Sequence, residues 1–181
     1  MRVIQRYAAY AAIGIALLLL ANALYQPSKA LAAQLLLEFA WQRTITSGVN
    51  SKPWPWADTT TIARIRFPQQ NEDFIVLAGS MGRSLAFAPG HLTGSRMPDE
   101  QGHMVISAHR DSHFAILEHL KVNNTIVVEN LAGLQKTYRV THRRIVDSRM
   151  ERLLLNHDRD RLTLVTCYPF DALHSGCLLY T

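Results

Sequence analysis

Two residues of this sequence combine a reactive side chain with a position that lets it act. Cys167 closes the run "RLTLVTC" and is followed by Tyr168 and Pro169, while His109 closes "HMVISA" and opens the polar turn "HRDSHF". A thiolate attacks carbonyl carbon, and an imidazole holds and returns the proton that such an attack displaces, so a Cys/His pair is equipped for acyl transfer through a thioester. Taken singly, each has a plainer reading: a lone cysteine packs as a small hydrophobe, and a lone histidine sits at the surface. Their placement argues for the pair. Proline has no N–H and cannot continue a central ladder, which puts Cys167 at the end of a strand. His109 ends a second apolar run, and two strand ends can meet at the rim of one barrel.

The remaining chemistry-bearing residues form weaker patterns. His109 and His113 have the spacing of a helical metal pair, but Arg110 stands where the zinc-protease motif requires a glutamate as general base. The other histidines specify no ligand set, and neither a metal nor an organic cofactor is expected. The second cysteine, Cys177, makes no CxxC motif with the first and no disulfide framework. In an oxidising compartment it is a possible partner that would block Cys167.

The elements that must position these residues are short and β-rich. Stretches 59–67, 73–79, 103–108, 125–130, 136–147 and 161–167 are β-branched and bounded by Gly, Asn, Asp or Pro. Six or more such strands predict a closed or nearly closed β-barrel, or else a sandwich. Helical pattern inside the domain is confined to 113–121 and 148–156.

Before this domain the pattern changes. Residues 7–25, "YAAYAAIGIALLLLANALY", carry no charge and have the length of a bilayer-spanning helix. Arg2 and Arg6 precede them, so the positive-inside bias keeps the amino terminus in the cytoplasm and exports the rest. A cleaved signal peptide, with Ala21 and Ala23 framing the cut, is the alternative; the main domain is exported in both cases. An amphipathic helix is expected over 27–44, with Leu31, Leu35 and Ala40 on its apolar side, and "SGVNSKPWPW" (47–56) reads as a linker. The resulting division is an anchor over 1–25, helix and linker over 26–56, and a β domain over 57–181.

Composition excludes disorder: 48% hydrophobic and 18% charged residues in a chain of 181 suffice for one cored domain. The net charge of +5 is mild, its basic residues are scattered in sequence, and no nucleic-acid motif accompanies them, so nucleic acid is not expected as a partner.

The tail "LTLVTCYPF" resembles the TLxTC signature of sortases, the membrane-anchored cysteine transpeptidases, and "ISAHRDSHF" resembles their histidine segment. "WPWADT" (54–59), "VLAGSMGRSLAFAPGHL" (76–92) and "YPFDA" (168–172) are similar to the Gram-negative, proteobacterial type. The resemblance implies an eight-stranded barrel in which Cys167 attacks the Thr–Gly bond of an LPxTG-like sorting signal on a partner protein, His109 serves as acid and base, and Thr166 lies near the substrate threonine carbonyl. An amine or water would release the product, and the catalytic domain would face the periplasm from the inner membrane. One expected residue is missing. The family carries an arginine on the strand after the cysteine, and here Leu179 falls in that slot, so the resemblance also admits an impaired relative that binds sorting peptides without cleaving them. Arg110, beside His109, is a candidate substitute.

Overall fold

The computed structural model describes residues 2–147, 149–171 and 177–180, with the backbone alone for 2–4, 8, 9, 11, 26, 27 and 177–180. The backbone falls into two compact units, Met1–Leu36 and Leu37–Thr181.

One helix, α1 (Arg2–Ser47), covers both the apolar run and the segment expected to form a separate amphipathic helix. Its apolar stretch is long enough to cross a membrane. The expected break at Pro27 is absent. A proline inside a helix forfeits one backbone hydrogen bond, and the turn around it gains another where the Ser28 hydroxyl donates to the Tyr25 carbonyl at 2.9 Å. The buried face also differs from expectation. Leu37, Ala40, Trp41 and Thr44, at i, i+3, i+4 and i+7, are buried, whereas Leu31 and Leu35 are exposed.

Among the described residues the second unit is mainly β, a nine-stranded sheet, in keeping with the β-rich domain expected from the sequence. Its strands are β1 (Thr61–Phe67), β2 (Glu72–Ala78), β3 (Gly90–His91), β4 (His103–Ser107), β5 (Thr125–Asn130), β6 (Gln135–Arg139), β7 (Arg144–Asp147), β8 (Arg161–Tyr168) and β9 (Cys177–Tyr180). They hydrogen-bond in the order β6-β5-β1-β2-β3-β4-β8-β9-β7. The count exceeds eight because the 136–147 run is cut into β6 and β7 and because β3 is only two residues long.

Alternation along the strands builds the core. Ile62, Met104, Ile106, Leu162 and Leu164 point inward with Phe67, Phe114 and Leu117. A second cluster joins Leu37 and Trp41 of α1 to Ile75, Leu77 and Ala88. Above it the Arg64 guanidinium lies 5.8 Å from the centre of the Trp41 ring and bridges Glu38 (2.5 Å) and Asp73 (2.7 Å). Pro53 in the linker is buried, and Trp54 packs edge-on to Phe87 at 5.0 Å.

Neither helical stretch of the domain forms an α-helix. Residues His113–Glu118 make a 3₁₀ helix. The segment 149–156 is a turn followed by extended chain, in which Leu153 and Leu155 are half-buried while Leu154 between them is exposed. That is a period of two, and three consecutive leucines supply no helical stripe. The turn is held by Asp147, whose carbonyl accepts from the Met150 and Glu151 amides at 3.0 and 2.9 Å.

Candidate active site

The two candidate residues are 58 positions apart in sequence, and one pairing joins them. β4 and β8 run parallel, with His103 opposite Arg161 and Ser107 opposite Val165. The ladder continues past the last rung, since the Ala108 amide donates to the Val165 carbonyl at 3.2 Å. His109 and Cys167 each lie two residues beyond the last paired rung, Ser107 opposite Val165. Both strands end there: β8 reaches Tyr168 and a cis Tyr168–Pro169 bond, and the His109 carbonyl accepts from the Phe114 amide at 3.1 Å as the chain turns into the 3₁₀ helix. Cys167 is a free, half-buried thiol and His109 is exposed.

Thr166, expected near the substrate threonine carbonyl, stands on the core face of β8. Leu162, Leu164 and Thr166 alternate onto the core face of β8, whereas Thr163, Val165 and Cys167 share the opposite face. Thr166 is 2% exposed, and its hydroxyl donates to the Ala108 carbonyl at 2.8 Å. The side chain therefore ties the Cys167 strand to the residue before His109.

Arg110 makes a second tie. Its guanidinium donates from Nη1 to the Pro169 carbonyl, linking the turn after His109 to the chain just past Cys167. His113 stands behind, its ring edge-on to Phe74 at 5.5 Å. Burial, then the neighbouring His109, lowers its pKa from the ordinary histidine value, against an opposing hydrogen bond to the Phe87 backbone. Sequence spacing suggested His113 as a possible metal ligand; among the described residues no three His, Cys, Asp or Glu side chains gather to hold an ion.

β9 supplies the other neighbour of the site, known here by its backbone. Cys167 pairs with Leu178, Thr166 with Leu179 and Tyr168 with Cys177. The residue directly across from the thiol is thus Leu178, one position before the expected arginine slot. Cys177 falls at a register position of the opposite face from Cys167.

A parallel strand pair that carries a thiol near the end of one strand and an imidazole just past the end of the other, in a curled sheet, defines a class. The chain belongs to the sortase family, whose Sortase domain model matches residues 65–177. Among particular relatives, Sortase D of Bacillus subtilis (strain 168) is 31% identical over 107 residues, which are 59% of this chain and 54% of that protein, so the chain spans about half the length of this curated relative. A lid mutant of sortase A from Corynebacterium diphtheriae superposes with a TM-score of 0.60 at 28% identity, covering 82% of this chain and 90% of the other. Sortase C-1 from Actinomyces oris gives 0.55 at 28% identity, over 65% and 70%.

Proposed function

We propose that this protein is a sortase-type cysteine transpeptidase of the proteobacterial type, anchored in the inner membrane by α1 with its amino terminus in the cytoplasm and its catalytic domain in the periplasm. The observation that carries the reading is the parallel β4–β8 register, which brings the imidazole-bearing and thiol-bearing strand ends together inside a Sortase domain.

In this mechanism the Cys167 thiolate attacks the threonine carbonyl carbon of an LPxTG-like signal on a partner protein. The Thr–Gly C–N bond breaks as protonated His109 gives its proton to the departing glycine amine, leaving a thioester on Cys167. An incoming amine or water then attacks the thioester, passes its proton to His109 and restores the thiolate. Thr166 and Arg110 act as positioning residues, one beneath the pair and one beside it. Arg110, whose guanidinium reaches the Pro169 carbonyl just past Cys167, is also a candidate to stabilise the developing oxyanion, an interaction worth about 10²- to 10³-fold in rate.

A second reading follows from β9. With leucines opposite Cys167 and Thr166, the chain can be an impaired member that binds sorting peptides without turning them over. Cleavage of a quenched LPxTG-type peptide by the full chain in detergent micelles separates the two. Turnover that depends on Cys167 supports the enzyme. Turnover that appears only in Leu178→Arg or Leu179→Arg supports the impaired relative, and none in any version defeats both the substrate and the role.

A further inference from the structure

At the far end of the same strand pair the molecule has a groove of about 760 Å³ that the chemistry above does not use. Its walls come from β6, the start of β7 and the 151–161 segment, and His103 and Thr163 line its inner side. Six cations line it: Lys136, Arg139, Arg144, Arg152, Arg159 and Arg161. Only two carboxylates oppose them, Glu151 paired with Arg144 at 2.5 Å and Asp160 paired with Lys136 at 3.4 Å. The surplus of four positive charges nearly equals the +5 of the entire chain. Charges that look scattered in sequence are gathered in one place by the fold. Among the described residues Arg139, Arg152, Arg159 and Arg161 form no ion pair.

The groove also contains an unsatisfied polar group. His103 is 1% exposed; its Nε2 pairs with the Thr163 hydroxyl at 2.7 Å, and its Nδ1 has no partner among the described residues. Burial, then Arg161 and His157, lowers its pKa from the ordinary value, as expected for an imidazole facing other positive groups. A buried nitrogen without a partner is costly, and this one lies in the lining of the cationic groove.

We infer that this groove binds an acidic segment of the protein substrate flanking its sorting signal. The inference rests on the transpeptidase reading and names the partner's chemistry. Thr163 lies on the same face of β8 as Cys167, four residues away, which is about 13 Å along an extended strand. A peptide whose scissile carbonyl sits at Cys167 brings residues about four positions distant to the arginines. A soluble anion has no such tether to the thiol.

The test uses the full chain in detergent micelles and six peptides sharing one LPxTG-type motif, with three Glu, three Gln or three Lys placed three to five residues before the motif or after it. For one of the two placements kcat/KM is expected to follow Glu, Gln, Lys with at least about a tenfold step from Glu to Lys, shrinking as salt rises. An Arg152→Glu/Arg161→Glu double variant is expected to reverse the order. Equal rates for all three residues in both placements overturn the inference. Binding is read separately by fluorescence anisotropy of a labelled glutamate-rich peptide without the motif. If no peptide is cleaved at all, the transpeptidase reading fails, and the groove is judged on anisotropy alone: glutamate-peptide binding lost in the double variant upholds an acidic-peptide site. Binding only of inorganic polyphosphate, or only of vesicles with anionic headgroups, overturns it.

Discussion

The two ends of the β4–β8 pair are built on one register and differ in nearly everything else. At each end a threonine of β8 reaches across to β4: Thr166 donates to the Ala108 backbone at 2.8 Å, and Thr163 bonds the His103 side chain at 2.7 Å. The carboxyl-terminal end holds Cys167 and His109 through backbone ladder bonds and the Arg110–Pro169 tie. The amino-terminal end spreads long, exposed arginines around a groove. Covalent chemistry tolerates little misplacement, and backbone pairing supplies the required stiffness. Charge recognition acts over a Debye length of about 10 Å and works with mobile side chains. The same sheet can therefore serve a rigid task at one end and a compliant one at the other.

The sharpest way to break this division is at the thiol. Cys167→Ala is expected to remove cleavage altogether, a loss of at least about 10⁴-fold, with an unchanged thermal transition; residual turnover in the peptide assay would refute the nucleophile. His109→Gln is expected to lower kcat by about 10²- to 10⁴-fold. Arg110→Ala should cost about 10²-fold, mainly in kcat, and partial recovery on adding guanidinium at millimolar concentration would separate a charge effect from a loosened turn.

Smaller effects test the threonines. Thr163→Val leaves the buried His103 ring without a partner on either nitrogen and should lower stability by about 1–3 kcal/mol, while Thr166→Val removes one hydroxyl bond and should cost about 1 kcal/mol. Thermal unfolding measures both, and the comparison predicts that Thr166→Val, despite the smaller stability loss, has the larger effect on kcat.

The smallest effect is that of pH. His103 and His113 both have folded-state pKa values below the ordinary histidine value of 6.5. As pH falls below that value the unfolded chain takes up protons that the folded chain resists, so stability present above about pH 6.5 declines in acid. Tm is expected to drop by a few degrees between pH 7 and pH 5, and His103→Gln should flatten that slope without abolishing it. An unchanged slope would mean that the His103 ring does not resist protonation in the fold.

Much of this arrangement was legible in the residues because strand signals are local. Thr125 and Asn130 bound β5 where the pattern predicts it, and Pro169 marks the end of β8 close to Cys167. Long-range pairing was less accessible. Nothing local to "TLVTC" says that its threonine hydroxyl turns to Ala108; that follows from which face of β8 meets the core. The groove escaped for a related reason, since its cations come from three separate segments and meet only when β6, β7 and β8 are assembled. The 113–118 helix tightened to 3₁₀ geometry around Phe114 and Leu117, both fully buried, because packing outweighed helix propensity.

The parallel register also bears on when the protein can act. His109 and Cys167 are joined by no short turn; their encounter waits for two strands separated by the whole of β5, β6 and β7 to align side by side. Pairings of that range are among the slowest steps by which a chain organises itself. If His109 is the base proposed for Cys167, the thiol has no partner until the β4–β8 rungs close. Under the transpeptidase reading, competence therefore arrives only with completed folding.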